Sequence, residues 1–176
     1  AVLEAQVTNA EDGIFAAQAM AVAIALMSSG HDLIESLNIA RAFFPKNYWI
    51  ANGNKIALEC LQEATSAQDL LLLLTTRLIN TVYSYGNAAP ETLPAAFAIV
   101  EMCRGDLQQA VMLANSIPKS TDSLPAMVGA LCGAHQGADV MSAKWKAQLN
   151  ECRGLCLPIV KGVRLDEVAK QLADRK

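Results

Sequence analysis

Apolar residues recur at every third or fourth position along almost the whole chain, and nowhere do they alternate cleanly with period two, a pattern that predicts an all-α fold. Helices are expected over residues 13–28, 31–44, 53–63, 67–85, 91–103, 106–116, 123–135, 142–151 and 165–173. The punctuation agrees with these spans. Gly30 stops the first helix, and Pro45 ends the second by withholding a donor. Ser66 and Asp122 stand just ahead of apolar runs, where a side-chain oxygen accepts the free N–H groups of a first turn. Residues 46–49 read as a loop carrying Tyr48 and Trp49. Gly129, Gly133 and Gly137 fall at i, i+4 and i+8 on one helix face, which predicts that another backbone packs closely there. No repeat, low-complexity tract or Pro/Gly linker divides the chain, so residues 1–176 are expected to be a single all-helical region.

At 176 residues the chain is long enough for a real core. Hydrophobic residues make up 53% of it and charged residues only 18%, against about 25% charged in an ordinary soluble domain. Polar side chains are too few to cover the surface, so part of the apolar surface is expected to face a missing segment or another chain. The net charge of −3 and the lack of Lys/Arg clusters argue against a nucleic-acid partner, which requires a basic footprint. Neither long apolar stretch reads as a membrane span: 13–27 is short and broken by Gln18, and 70–82 carries Arg77 and Asn80. No basic n-region with an apolar h-region follows Ala1. The five cysteines form no CxxC pair and are expected to be reduced core residues of a cytoplasmic protein. Cys152, Cys156 and His135 match no common zinc-ligand spacing.

Candidate chemistry concentrates in one loop. Ser120, Thr121, Asp122 and Ser123 offer three hydroxyls and one carboxylate in succession, followed by Pro125 and the glycine-spaced helix. A carboxylate among hydroxyls, carbonyls and water is the all-oxygen environment that Mg²⁺ or Ca²⁺ prefers. The plain alternative is a helix cap made by Asp122 or Ser120, with Pro125 in the first turn. Elsewhere, His31 reads as part of an inter-helix turn and His135 as a helix C-terminus, where a cation suits the dipole. Tyr83 and Tyr85, just ahead of Gly86, are candidates for a pocket wall, and residues 164–176 read as a solvated amphipathic helix.

The flanks of the loop resemble a known family. Residues Ala88-Ala89-Pro90-Glu91-Thr92-Leu93-Pro94-Ala95-Ala96-Phe97, then Gly105-Asp106-Leu107-Gln108-Gln109-Ala110-Val111, then Ser120-Thr121-Asp122-Ser123 follow in an order and spacing similar to the ADP-ribosylglycohydrolase family. There the last segment is typically Asp-Thr-Asp-Thr. The Gly129, Gly133-Ala134 and Gly137 helix, Trp145, and upstream Asp12-Gly13-Ile14-Phe15-Ala16-Ala17 extend the likeness across nearly the whole chain, against the C-terminal half of the family.

That resemblance implies an all-helical orthogonal bundle and a hydrolase that removes ADP-ribose from modified side chains or related N-ribosyl compounds. It also implies one or two Mg²⁺ ions that orient ribose and water. Asp122, with Ser123 and Ser120, would then hold metal, and Gly86, Asn87, Ala88 and Glu91 would line the ligand pocket. The family's other metal ligands and its general base lie in the N-terminal half, for which this chain offers no match. Pro118-Lys119-Ser120 stands where the family has Gly-Gly-Asp, so one anionic ligand is lost and a positive charge is gained beside the site. An inactive binding or structural member of the family, and an unrelated helical interaction module, are the alternatives.

Overall fold

The computed structural model describes residues 1–79 and 85–174. Among these, ten α-helices form and no strand does. They are α1 (Val2–Thr8), α2 (Asp12–Ser28), α3 (Leu33–Arg41), α4 (Trp49–Glu63), α5 (Ala67–Arg77), α6 (Ala89–Met102), α7 (Leu107–Ala114), α8 (Ser123–Gln136), α9 (Ala143–Leu149) and α10 (Leu165–Ala173). The chain makes two compact units, residues 1–137 and 138–176.

In the first unit α6 is the central element. Residues 91–100 are all buried, and α2, α3, α4, α5, α7 and α8 pack around it. Its composition explains the position. Ala95, Ala96 and Ala98 let neighbouring helices come close, while Leu93, Phe97, Ile99 and Val100 supply apolar area on every side. The closest approach is with α4. A Cβ on Gly53 would lie 1.9 Å from the Pro90 carbonyl oxygen, so no side chain fits at that position. Pro94, four residues on, has no N–H to give that carbonyl, so the oxygen Gly53 faces is one the helix itself leaves without its usual donor. On the far side Arg41 of α3 meets Glu101 of α6 at 2.7 Å, with the guanidinium over the Phe97 ring.

Ser66 caps as expected, and Asp32 and Asp106 do the same for their helices. Asp32 accepts from the N–H groups of Ile34 and Glu35, Ser66 from Asp69, and Asp106 from Gln109. α4 starts four residues earlier than its periodicity suggests, because the Asp12 carboxylate accepts the Ile50 N–H and serves as a cap from another helix. α1 was not legible as a helix: it is one short stretch with a single buried residue, Ala5. The helix expected over 67–85 ends at Arg77, residues 85–88 are not helical, and Tyr83 lies outside the described residues.

The glycine face of α8 differs from expectation. A Cβ on Gly129 would make ordinary contact with Val111, and one on Gly133 would meet nothing within 4 Å. Gly137 serves to end the helix, at φ +77. These glycines therefore do not mark a backbone crossing; Gly53, a glycine without a repeat, does.

The second unit holds α9, α10 and two 3₁₀ turns, joined by one antiparallel bridge between Glu151 and Arg164. None of its described residues is buried. Among the described residues no helix is long and apolar enough to cross a membrane.

Candidate functional site

The loop ahead of α6 and the loop ahead of α8 meet in the first unit. A Cβ on Gly86 would lie 2.6 Å from the Lys119 carbonyl oxygen, so the two backbones touch where only glycine permits it. One residue on in each loop, the Ser120 hydroxyl donates to the Asn87 side-chain carbonyl at 2.5 Å. Ser120 is 4% exposed, so this bond stands in for the water it has lost. Lys119 reaches across to Glu91, ammonium to carboxylate, at 3.7 Å.

Both loops take left-handed backbone to do this. Asn87 has φ +59 and Lys119 φ +68. Asparagine tolerates that region, whereas lysine is strained there by roughly 1 kcal/mol. The strained lysine sits within Pro118-Lys119-Ser120, where the resembled loop has two glycines before its aspartate.

Asp122 caps α8, accepting the Ser123 N–H at 2.7 Å, and its carboxylate is exposed. That N–H bond holds the carboxyl below its usual range, and the Asn87 side chain adds a smaller pull in the same direction. Asp122 is therefore an anion throughout the neutral range. The helix-cap reading of this residue holds, and the cap engages one oxygen of the carboxylate.

Beside these loops lies a cleft of about 250 Å³ lined by Asn9, Gly13, Ala16, Ala17, Met20, Asn87, Ala89, Thr92, Leu93 and Met127. Gly13, Ala16, Ala17 and Met20 fall at i, i+3, i+4 and i+7, one face of α2, and the small size of the first three leaves the room. Asn87 belongs to both the cleft and the loop junction. Glu91 does not reach this cleft. On α6, Ala89, Thr92 and Leu93 face it, while Pro90 and Glu91 face a second hollow of about 210 Å³ shared with Trp49, Asn52 and Gly53. Gly86 and Ala88 are not part of the cleft wall either; Gly86 sets the loop docking, and Ala88 accepts the Thr92 hydroxyl.

Sequence reasoning missed Asn9, Thr92 and Met127. The small-residue face of α2 was the available signal for the cleft, but it read as ordinary helix packing. Tyr85 is exposed, Tyr48 packs edge-on against Phe15, and His31 lies in the turn between α2 and α3. Among the described residues no group of three or more His, Cys, Asp or Glu stands close enough to hold a metal by itself.

In this all-helical unit Asn87 lines the cleft and is tied through Ser120 to the loop that Asp122 closes as the cap of α8. The sequence model of the ADP-ribosylglycohydrolase family matches residues 1–176, and the chain belongs to that family. It is 27% identical over 96 residues to "Uncharacterized protein YegU" of Escherichia coli (strain K12). That match takes in 54% of this chain and 27% of the length of that relative. No solved structure matches the chain.

Proposed function

We propose that this chain forms part of a hydrolase that cleaves the glycosidic bond to ADP-ribose or a related N-ribosyl compound, and that it supplies one wall of the ligand cleft. The observation that carries this reading is the Asn87–Ser120 junction. It ties a segment 33 residues further along the chain to Asn87, which lines a cleft of about 250 Å³ together with Gly13, Ala16 and Ala17.

Mg²⁺ suits the donors present. Asp122, Ser123 and Ser120 offer hard oxygen, and Mg²⁺ commonly takes one or two carboxylates and completes its shell with water and substrate phosphate. Such an ion would supply Lewis-acid polarisation of a ribose hydroxyl or of water. The chain's own part is to hold the Asp122 carboxylate ionised at the rim, to keep Ser120 fixed through Asn87, and to leave the α2 face open for the ligand. In the full-length protein, Asp122→Ala is expected to abolish Mg²⁺-dependent release of ADP-ribose while the helical circular-dichroism signal persists. Unchanged turnover would remove Asp122 from the site.

A second reading, a family member that binds without turning over, draws on Ser120 and Lys119. Ser120 provides a neutral hydroxyl, and Lys119 keeps a positive charge paired with Glu91 beside the loop. Ligand binding with no release of product under the same conditions would select it.

A further inference from the structure

We infer that Lys119 is a positioning residue of this site, acting through Glu91: their ion pair clamps the loop before α8 to the start of α6 and so holds Ser120 against Asn87 on the cleft wall. This rests on the reading of the cleft as the ligand site. It assigns a role to the residue that gives this loop a positive charge where the resembled loop has glycine.

Three observations support it. The first is strain. Lys119 stands at φ +68, where a glycine sits without steric cost and a lysine does not. A residue held in such backbone persists only where its surroundings impose it, and such positions gather at functional sites. The second is the ion pair itself. The Lys119 and Glu91 charges stand 3.7 Å apart on side chains only 20% and 11% exposed, so water and salt screen them less than a surface pair. The third is the relay. Ser120, the next residue, donates its hydroxyl to the Asn87 side chain, and Asn87 lines the cleft. Glu91 faces the other hollow, with Trp49 and Asn52, so the pair lies off the cleft and acts on a ligand only through the loop. The Gly86–Lys119 backbone approach does not depend on these charges, so breaking the pair loosens the junction without taking it apart.

The clamp can be broken from either side. Lys119→Asn removes the charge and installs a residue that tolerates left-handed backbone, and Glu91→Gln removes the partner's charge at nearly equal volume. Lys119→Arg keeps the charge. In the full-length protein without ligand, amide hydrogen exchange across residues 118–123 is expected to quicken in Lys119→Asn and in Glu91→Gln, and to stay near the unmodified rate in Lys119→Arg. Exchange unchanged in both, or altered in only one, would overturn the clamp. ADP-ribose affinity in Mg²⁺, by calorimetry, is expected to fall about tenfold in each of the two and no further in the double variant, as for two residues that act as one pair. Unaltered affinity, or losses that multiply in the double variant, would contradict positioning through Glu91. Because Lys119→Asn sheds the backbone strain, its thermal midpoint is expected to be no lower than that of the unmodified protein. An affinity loss that tracks a lower midpoint would make Lys119 a prop of the fold and overturn the positioning role. The exchange needs no ligand, so if ADP-ribose fails to bind the unmodified protein, the proposed substrate falls while the clamp is still decided.

Discussion

Asp122 carries the account at the scale of single residues, and its electrostatics make a prediction with a definite sign. Its carboxyl is depressed first by the Ser123 N–H, so its folded value lies below its unfolded one. Its contribution to stability is then fully present above the ordinary carboxylate range and is lost as pH falls through the lowered value. Ligand binding through Asp122 should likewise stay level from neutral pH into the ordinary carboxylate range and decline only below it. A decline centred between pH 5 and 7 would show that another group controls binding. The cap was legible in the sequence, since an acidic residue before an apolar run signals one. Glu91 was legible as a polar residue near the pocket but not as one facing away from it. That depends on the phase of α6, which begins at Ala89 rather than Glu91.

Among the helices, two glycines make opposite predictions. Gly53 lies against the Pro90 carbonyl, so Gly53→Ala is expected to force α4 from α6 and to destabilise the protein by about 1–3 kcal/mol, read as a lower urea midpoint. Pro90 opens the helix that carries Thr92 and Leu93 into the cleft, so ligand affinity should fall with it. Gly133 has open space at its Cβ position, and Gly133→Ala should gain up to about 1 kcal/mol from helix propensity. A stabilised Gly53→Ala, or a destabilised Gly133→Ala, would invert this picture of the packing. Nearly every helix of the first unit was legible from periodicity, caps and breakers. The closest helix crossing, of α4 on α6, was not. A repeated glycine spacing drew attention to α8, while the close contact depends on a lone glycine meeting a carbonyl that a distant proline leaves without its donor.

For the molecule as a whole, burial sorts the cysteines and the apolar surface. Cys60, Cys103 and Cys132 are buried in the core, and burial pushes the Cys103 thiol up to about 11 and Cys132 up to about 12. Cys156 is exposed and Cys152 half-buried, both in the second unit. Native protein at pH 8 should therefore release two thiols to a disulfide reagent, Cys156 ahead of Cys152, and the other three only on unfolding. Three or more reacting at the native rate would mean that the core opens readily. The apolar excess of the composition is visible in the second unit, where Leu155, Leu157, Ile159 and Leu172 are largely exposed. Composition announced that surface without saying where it would lie. That location depends on a segment too short to bury its own hydrophobic residues.

The joining of the 86–91 and 118–123 loops at one ligand cleft is decided by calorimetric titration of ADP-ribose, in Mg²⁺, into the full-length protein and its Asp122→Ala variant. Saturable binding by the unmodified protein that is lost in the variant, with the variant's thermal unfolding still cooperative, is the expected result. Equal binding by both, or binding by neither, would contradict a ligand site at Asp122.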